Sequence, residues 1–175
     1  NGIINADDQT WILNPVPDFS YGINVGLDYK GFDLTVFLQG VQGVQVYNGQ
    51  KFQTDFWSLT DAGSNKGSRL LGAWTTANTS SLIPALTTNN TGDEGRASTY
   101  FVENGSYLKV RDLSIGYNLP TDVLQKCKLS KLRFYLSGHN LLTLKSKSLT
   151  CKDPENPNWA YPLATSVTFG VQVGF

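Results

Sequence analysis

The first eight residues carry side-chain oxygens of the kind that bind a divalent cation. In an EF-hand-type loop, ligands stand at positions 1, 3, 5, 7, 9 and 12, with glycine at position 6. Placing Asn1 at position 5 puts Gly2 at position 6. The Ile3 carbonyl, Asn5 and Asp8 then take positions 7, 9 and 12. The first two ligands would precede Asn1, so we expect Ca²⁺ binding in a longer parent chain and only weak binding here. An ordinary Asn/Gly turn is the alternative.

Aromatic residues in the polar, irregular segments are candidates for contact with a ligand or a partner. Tyr and Trp combine a large apolar face with a polar group, which suits both sugar stacking and protein interfaces. Packing of each segment against itself is the alternative for each residue taken singly. The residues predicted to contact substrate or partner are Tyr47, Trp57, Trp74, Tyr100 and Trp159.

The residue types that catalysis requires are sparse. A single histidine excludes zinc sites built from histidine clusters. No serine lies in a Gly-x-Ser-x-Gly sequence, and neither Cys127 nor Cys151 has a candidate base beside it. We therefore predict no enzyme activity, no catalytic residue, and no cofactor apart from the Ca²⁺ of a parent chain.

Composition limits the class of protein further. The 175 residues include 14 Lys and Arg and 14 Asp and Glu, so no net charge favours nucleic acid as a partner. No apolar run approaches the roughly 18 residues of a membrane helix. Aromatic residues make up 12% and charged residues 16%, with abundant Gly, Asn, Ser and Thr. Membrane strands with small lumenal residues have this composition, and a Gly-rich soluble β-protein is the alternative.

Five segments alternate apolar and polar residues with the period of a β-strand. The first two form a hairpin around Lys30-Gly31, because glycine favours a two-residue turn. The last alternates Val and Phe with small polar residues and ends on Phe175. This ending is similar to the C-terminal assembly signal of bacterial outer-membrane proteins. The predicted strands are 19–29, 32–41, 106–118, 131–144 and 165–175.

The third predicted strand fits this pattern least well. Its apolar face is clear only from Leu113 onwards, and strict alternation places Lys109 and Arg111 on the same face. We therefore expect both cations to lie above the hydrocarbon, near lipid headgroups.

The connections between the predicted strands alternate in length, as the short periplasmic turns and long outer loops of outer-membrane barrels do. The two short connections are 30–31 and 119–131. Bacterial single-chain barrels have even strand numbers of at least eight, so we expect five strands to be a piece of a larger barrel. The predicted outer loops are 1–18, 42–105 and 145–163.

Several motifs, in order along the chain, resemble those of the SusC/RagA-type TonB-dependent transporters. The hairpin motif of that family is matched by Asn14-Pro-Val-Pro-Asp-Phe-Ser-Tyr-Gly-Ile-Asn24 and by Tyr29-Lys-Gly-Phe-Asp-Leu-Thr-Val-Phe-Leu-Gln-Gly40. Further matches are the segments 104–120 and 132–141, Asp153-Pro-Glu155 and Tyr161-Pro162. The resemblance covers nearly all of the chain except the middle of the long loop.

The resemblance implies an all-β fold: an antiparallel transmembrane β-barrel of 22 strands with an N-terminal plug. Residues 1–175 would be its last five strands with long extracellular loops. The implied location is the outer membrane of a Gram-negative bacterium, in contact with lipid and lipopolysaccharide. A SusD-like surface lipoprotein would cap the barrel, and TonB, gripped by an upstream part, would power import of oligosaccharides or peptides.

Within such a barrel, the polar face of the strands lines the lumen. Asp28, Asp33, Arg133 and His139 are predicted to point there, hydrating the wall or pairing with the plug. Two other functions remain open from the residues: a passive porin or adhesin barrel without a plug, and a soluble β-sandwich that binds carbohydrate.

Overall fold

The structure is a computed structural model that describes residues 6–57, 65–87, 95–158 and 161–175, without the side chains of Ala6 and Trp57. Its seven strands are β1 (Phe19–Tyr29), β2 (Phe32–Gln42), β3 (Gln45–Tyr47), β4 (Val102–Asn104), β5 (Tyr107–Asn118), β6 (Lys131–Lys145) and β7 (Ser166–Gly174). Helical elements are α1 (Gly49–Phe52), which continues as a π-helical turn (Gln53–Trp57), and α2 (Thr121–Lys126). Short 3-10 turns are Ala6–Asp8, Ser68–Gly72 and Thr99–Phe101.

Five strands form one antiparallel sheet in the order β1-β2-β5-β6-β7, and β3 pairs with β4. The predicted all-β antiparallel architecture is therefore confirmed. No helix among the described residues is long and apolar enough to cross a membrane.

The hairpin between β1 and β2 turns on two residues with left-handed backbone angles. Lys30 has φ 47° and Gly31 has φ 88°. This turn type matches the right-handed twist of the flanking strands, so it fixes the register of the hairpin. Tyr29 consequently lies opposite Phe32, and Val25 opposite Val36.

The apolar face of the five-stranded sheet is not covered by any other described part of the chain. Its central row runs through Val25, Val36, Leu113, Gly138 and Val167, which pair in turn across the five strands. A soluble sandwich would bury this face against a second sheet. Instead, many of its large side chains are exposed, among them Phe19, Ile23, Val25, Leu27, Ile115, Leu136, Leu142, Val167, Phe169 and Val171.

Aromatic residues form a continuous row at the hairpin end of this face. The cross-strand pairing places Tyr29, Phe32, Tyr117 and Phe134 side by side. The rings of Phe32 and Tyr117 pack with their centroids 4.6 Å apart. Such a row is what an aromatic girdle at a membrane interface would require.

Two glycines in the sheet leave room for the ring of the tyrosine directly opposite. Gly40 faces Tyr21, and Gly170 faces Tyr135. A Cβ on either glycine would overlap the tyrosine ring. The ring thus covers the bare backbone of its neighbour, as aromatic residues do beside strand glycines.

We expect Gly170→Ala to lower the stability of the folded protein by about 1–3 kcal/mol, because the Tyr135 ring must leave its position. The measurement is the urea midpoint of unfolding. Gly26→Ala is the matched control, since a Cβ at Gly26 meets nothing within 4 Å. An equal midpoint for the two variants would contradict the expected role of the ring.

A β-bulge in β5 corrects the prediction made for Lys109 and Arg111. Val110 pairs with Leu38 and Asp112 with Phe37, so Arg111 is an extra residue relative to β2. A bulge shifts the alternation by one residue. Lys109 therefore lies opposite Gln39, on the polar face, and its side chain is only 1% exposed. The expectation that both cations lie near lipid headgroups was wrong.

The long connection from β2 to β5 has its own small core. Phe101 is fully buried. The rings of Tyr47, Phe52, Phe56 and Tyr100 surround it at centroid distances of 5.5, 6.1, 5.6 and 5.2 Å. The connection is therefore a packed unit where the structure describes it, with aromatic residues at its centre.

Candidate functional site: the outer loops and the polar face

The connection from β6 to β7 is fastened to the polar face of β5 by a cluster of ion pairs. Lys109 Nζ donates to Asp153 Oδ1 at 2.8 Å and to Glu155 Oε2 at 2.5 Å. Arg111 donates to Glu155 as well, and also to Gln39 and Asn140. Tyr107 Oη donates to Glu155 Oε1 at 2.9 Å. We call Lys109, Arg111, Asp153 and Glu155 the charged cluster.

Asp153 also organises the connection itself. Its carboxylate accepts backbone hydrogen bonds from Glu155 and from Leu163, both at 3.1 Å. One carboxylate thus joins β5, the middle of the connection and the segment leading to β7. With every oxygen of the cluster hydrogen-bonded, burial of these charges is compensated.

The environment lowers the pKa of both carboxyl groups in the cluster. Burial alone would raise the pKa of Asp153, but hydrogen bonds from Lys109, Glu155 and Leu163 and the Lys109 charge outweigh it. Burial likewise opposes the lowered pKa of Glu155, and the hydrogen bonds and charges from Lys109, Tyr107 and Arg111 outweigh it. Both groups are therefore held as carboxylates.

Low pH is expected to detach the connection between β6 and β7 from β5, because protonation of Asp153 and Glu155 weakens their ion pairs with Lys109 and Arg111. The ordinary pKa values are 3.8 for Asp153 and 4.5 for Glu155. Because the folded values are lower, the carboxylates stabilise the fold fully above the ordinary values, and this contribution is lost as pH falls through the lowered ones. We expect amide protection factors of residues 149–157, corrected for intrinsic exchange, to drop below pH 3.8. Protection that stays unchanged as the pH falls well below both ordinary values would contradict this, and Lys109→Met should weaken the pH dependence.

A second polar network joins the two long connections to each other. Asn48 Nδ2 donates to Glu103 Oε2 at 3.0 Å and to Thr150 Oγ1 at 2.9 Å. Thr150 donates to Glu103 through its backbone N and its hydroxyl. Lys51 Nζ lies 3.4 Å from Glu103 Oε1. Asn48 and Glu103 are buried, so the connections pack as one body at this point.

Beside this network lies an open cavity of about 380 Å³ in the long connection. Aromatic rings form much of its wall: Phe56, Trp74 and Tyr100. Ser81, Leu82, Pro84 and Ser98 complete the lining. We call this space the aromatic cavity.

The structure separates the aromatic residues predicted to contact substrate or partner. Tyr47 packs inside the loop core against Phe101. Trp74 and Tyr100 line the aromatic cavity, where Trp74 is 40% exposed. The side chain of Trp57, and Trp159 as a whole, lie outside the described residues.

The residues predicted to face the lumen lie on the polar face, and two of them bind each other. Arg133 Nε donates to Asp33 Oδ2 at 2.9 Å. The pair passes over Gly116, and a Cβ at Gly116 would lie 2.6 Å from Arg133 Nε and from Asp33 Oδ2. His139 Nδ1 contacts Asp112 on the next strand, and both side chains are about half exposed, at 53% and 47%. Asp28 is exposed opposite Asp33.

For the remaining predicted sites, the structure describes only some of the residues. Asn1, Ile3 and Asn5 of the partial Ca²⁺ loop lie outside the described residues, and Asp8 is exposed. Within the described ranges, no group of three or more His, Cys, Asp or Glu side chains is arranged to hold a metal ion. Cys127 and Cys151 carry free thiols. Phe175 is 96% exposed.

Sequence reasoning missed the charged cluster, although the signals for it were present. The apolar residues of β5 switch from even-numbered positions (Leu108 and Val110) to odd-numbered positions (Leu113 and Ile115), which indicates a bulge. Lys109 and Arg111 lie at this switch, and Asp153 and Glu155 flank Pro154 in the connection after β6. Strict alternation places the two cations on the apolar face, where they could not pair with these two carboxylates.

Comparisons with known proteins agree on one family, although no protein-family model matches the chain. TonB-dependent receptor P3 of Formosa agariphila is 36% identical over 146 residues, which is 82% of this chain and 13% of that protein. TonB-dependent receptor SusC of Bacteroides thetaiotaomicron is 29% identical over 186 residues, covering all of this chain and 17% of that protein. The chain thus spans less than a fifth of these relatives.

Solved structures show the same relationship. A chain of the RagAB peptide importer in the 'closed-closed' state matches with a TM-score of 0.80 and 26% identity. The 'open-open' state matches with a TM-score of 0.79. Each match covers all of this chain and 19% of the solved chain. The relatives found are named as receptors and an importer, not as enzymes.

Proposed function

Because this chain belongs to the SusC-like TonB-dependent receptors, we propose that it forms wall and outer loops of an importer in the outer membrane of a Gram-negative bacterium. The observation that carries the proposal is the apolar face of the sheet. Large apolar side chains remain exposed there, while the opposite face holds the ion pairs. Lipid contact on one side and water on the other account for both.

The elements have separate tasks in this proposal. The five-stranded sheet is wall, its two edge strands β1 and β7 pair with further strands, and the aromatic row lies at the periplasmic interface. The long connections lie outside the cell. The count of 22 strands, the plug and the coupling to TonB remain proposals taken from the resemblance.

For the substrate and the partner we propose oligosaccharides or peptides, delivered with a SusD-like lipoprotein. The proposal is supported by the similarity of this chain to SusC, at 29% identity, and to a chain of the RagAB peptide importer, at 26% identity. The two long connections, packed together through Asn48, Glu103 and Thr150, would offer such a lid a firm surface. Ca²⁺ at the partial loop 1–8 stays a prediction for the parent chain.

The test uses the full-length receptor that carries this segment. We expect it in the outer-membrane fraction, with electrophoretic mobility that changes on boiling, as folded barrels show. Uptake of its substrate should stop when TonB is depleted, and a surface lipoprotein should co-purify. Uptake that continues without TonB would favour the passive pore. Recovery in the soluble fraction would overturn the membrane assignment.

A further inference from the structure

The walls of the aromatic cavity are held in place from behind. Tyr100 Oη donates to Asp55 Oδ2 at 2.6 Å, and Asp55 is fully buried. Arg69 Nε donates to the other oxygen of Asp55 at 2.9 Å, and Lys51 Nζ lies 4.1 Å from the centre of the Tyr100 ring. The Tyr100 side chain is therefore held in position at the cavity without any ligand.

The part of the lining around Trp74 is fixed by hydrogen bonds within residues 72–83. Trp74 N donates to the Ile83 carbonyl at 2.9 Å. Asn78 Nδ2 donates to the Gly72 carbonyl at 3.1 Å, which closes this segment into a tight loop. A preformed site of this kind loses little conformational entropy on binding.

Of the three described hydroxyl groups that line the cavity, those of Ser81 and Tyr100 are hydrogen-bonded within the protein. Ser81 Oγ donates to the Gly72 carbonyl at 2.6 Å and accepts from Ile83 N at 3.0 Å. Tyr100 spends its only proton on Asp55. No charged side chain is among the described residues that line the cavity.

This chemistry disfavours a sugar as the occupant. A sugar ring brings several hydroxyl groups that would lose water and find few partners among these engaged groups. An apolar side chain has no such requirement, and aromatic walls suit it. Leu82 at the cavity is 93% exposed, so an apolar occupant would also remove this leucine from water.

We propose that the aromatic cavity binds an apolar side chain, aliphatic or aromatic, of an extended peptide. This inference rests on the proposed function, because it names the class of substrate that an outer loop of the importer would first engage. The volume of about 380 Å³ has room for a leucine or phenylalanine side chain with part of its backbone.

The experiment uses the full-length receptor in lipid nanodiscs and isothermal titration calorimetry. The probes are a capped pentapeptide containing two leucines, the same peptide with serines in their place, and maltoheptaose. We expect saturable binding of the leucine peptide and at least about tenfold weaker binding of the other two. Equal affinity for the serine peptide, tighter binding of maltoheptaose, or no saturable binding of the leucine peptide up to about 1 mM would overturn the proposal.

Two variants assign binding to this cavity. Trp74→Ser and Leu82→Ser should each weaken the leucine peptide at least about fivefold. Leu82 is exposed, so its replacement leaves the fold intact, and Trp11→Ser is the control because Trp11 is 98% exposed and does not line the cavity. Unchanged affinity in both cavity variants would overturn the site. A receptor correctly placed in the outer membrane that fails these titrations disproves the peptide site alone.

Discussion

Replacing Val36 by arginine in the full-length receptor is expected to prevent assembly into the outer membrane. Val36 lies in the central row of the apolar face, between Val25 and Leu113. A cation on the lipid side of a barrel costs about 2–4 kcal/mol at the bilayer midplane. That cost is a large share of the stability of a typical protein. The measurement is the amount of folded, heat-modifiable receptor in the outer-membrane fraction.

Thr35→Arg is the matched control for Val36→Arg. Thr35 is the preceding residue, and its exposed side chain lies on the polar face opposite Ser114. An arginine there meets water, so we expect near-normal assembly. If both variants assembled equally well, the apolar face would not be in contact with lipid, and the membrane assignment would fall.

Replacing Lys109 by methionine is expected to detach the connection between β6 and β7 from the wall. Methionine keeps much of the bulk of the lysine and removes its charge. Removing one partner of a buried ion pair costs about 3–5 kcal/mol, because the other charge stays buried without compensation. We expect the lower end, since Asp153 keeps two backbone donors and Glu155 keeps Arg111 and Tyr107.

Hydrogen exchange measures this effect locally. A loss of about 3 kcal/mol corresponds to exchange about 100-fold faster for the protected amides of residues 149–157, if they open as one unit. Lys152→Met is the control, because Lys152 lies in the same connection and is exposed. Exchange unchanged by Lys109→Met would show that the charged cluster does not hold this connection.

The strands could be predicted from sequence because their pattern is local. Alternation fixes which side chains share a face, and Lys30-Gly31 fixes a turn, so β1 and β2 need no knowledge of distant residues. The proposed contact with lipid adds only the requirement that one face of the sheet be apolar. The same reasoning failed at Arg111, where one extra residue broke the alternation.

The interior of the loops could not be predicted in this way. One polar network joins Asn48, Glu103 and Thr150, although about 50 residues separate each from the next. Hydrophobic periodicity does not predict contacts of this kind. Tyr100 and Trp74 are aromatic residues in polar segments, and this chemistry alone predicts that they contact a ligand or a partner. That they line one cavity, while Tyr47 lies inside the loop core, depends on how the connection packs.

The bulge at Arg111 decides where β5 can change length and still keep its apolar side chains on one face. Before it, even-numbered residues such as Leu108 and Val110 lie on the apolar face; after it, odd-numbered residues such as Leu113 and Ile115 do. Losing Arg111 would make β5 alternate regularly against β2, with every remaining side chain on its present side, but it would remove the hydrogen bonds to Gln39, Asn140 and Glu155. Losing a residue between Leu113 and Ile115 would turn one half of the strand inside out. A change of one residue in the length of β5 is therefore expected to preserve the apolar face only at the bulge, and there it would remove part of the charged cluster.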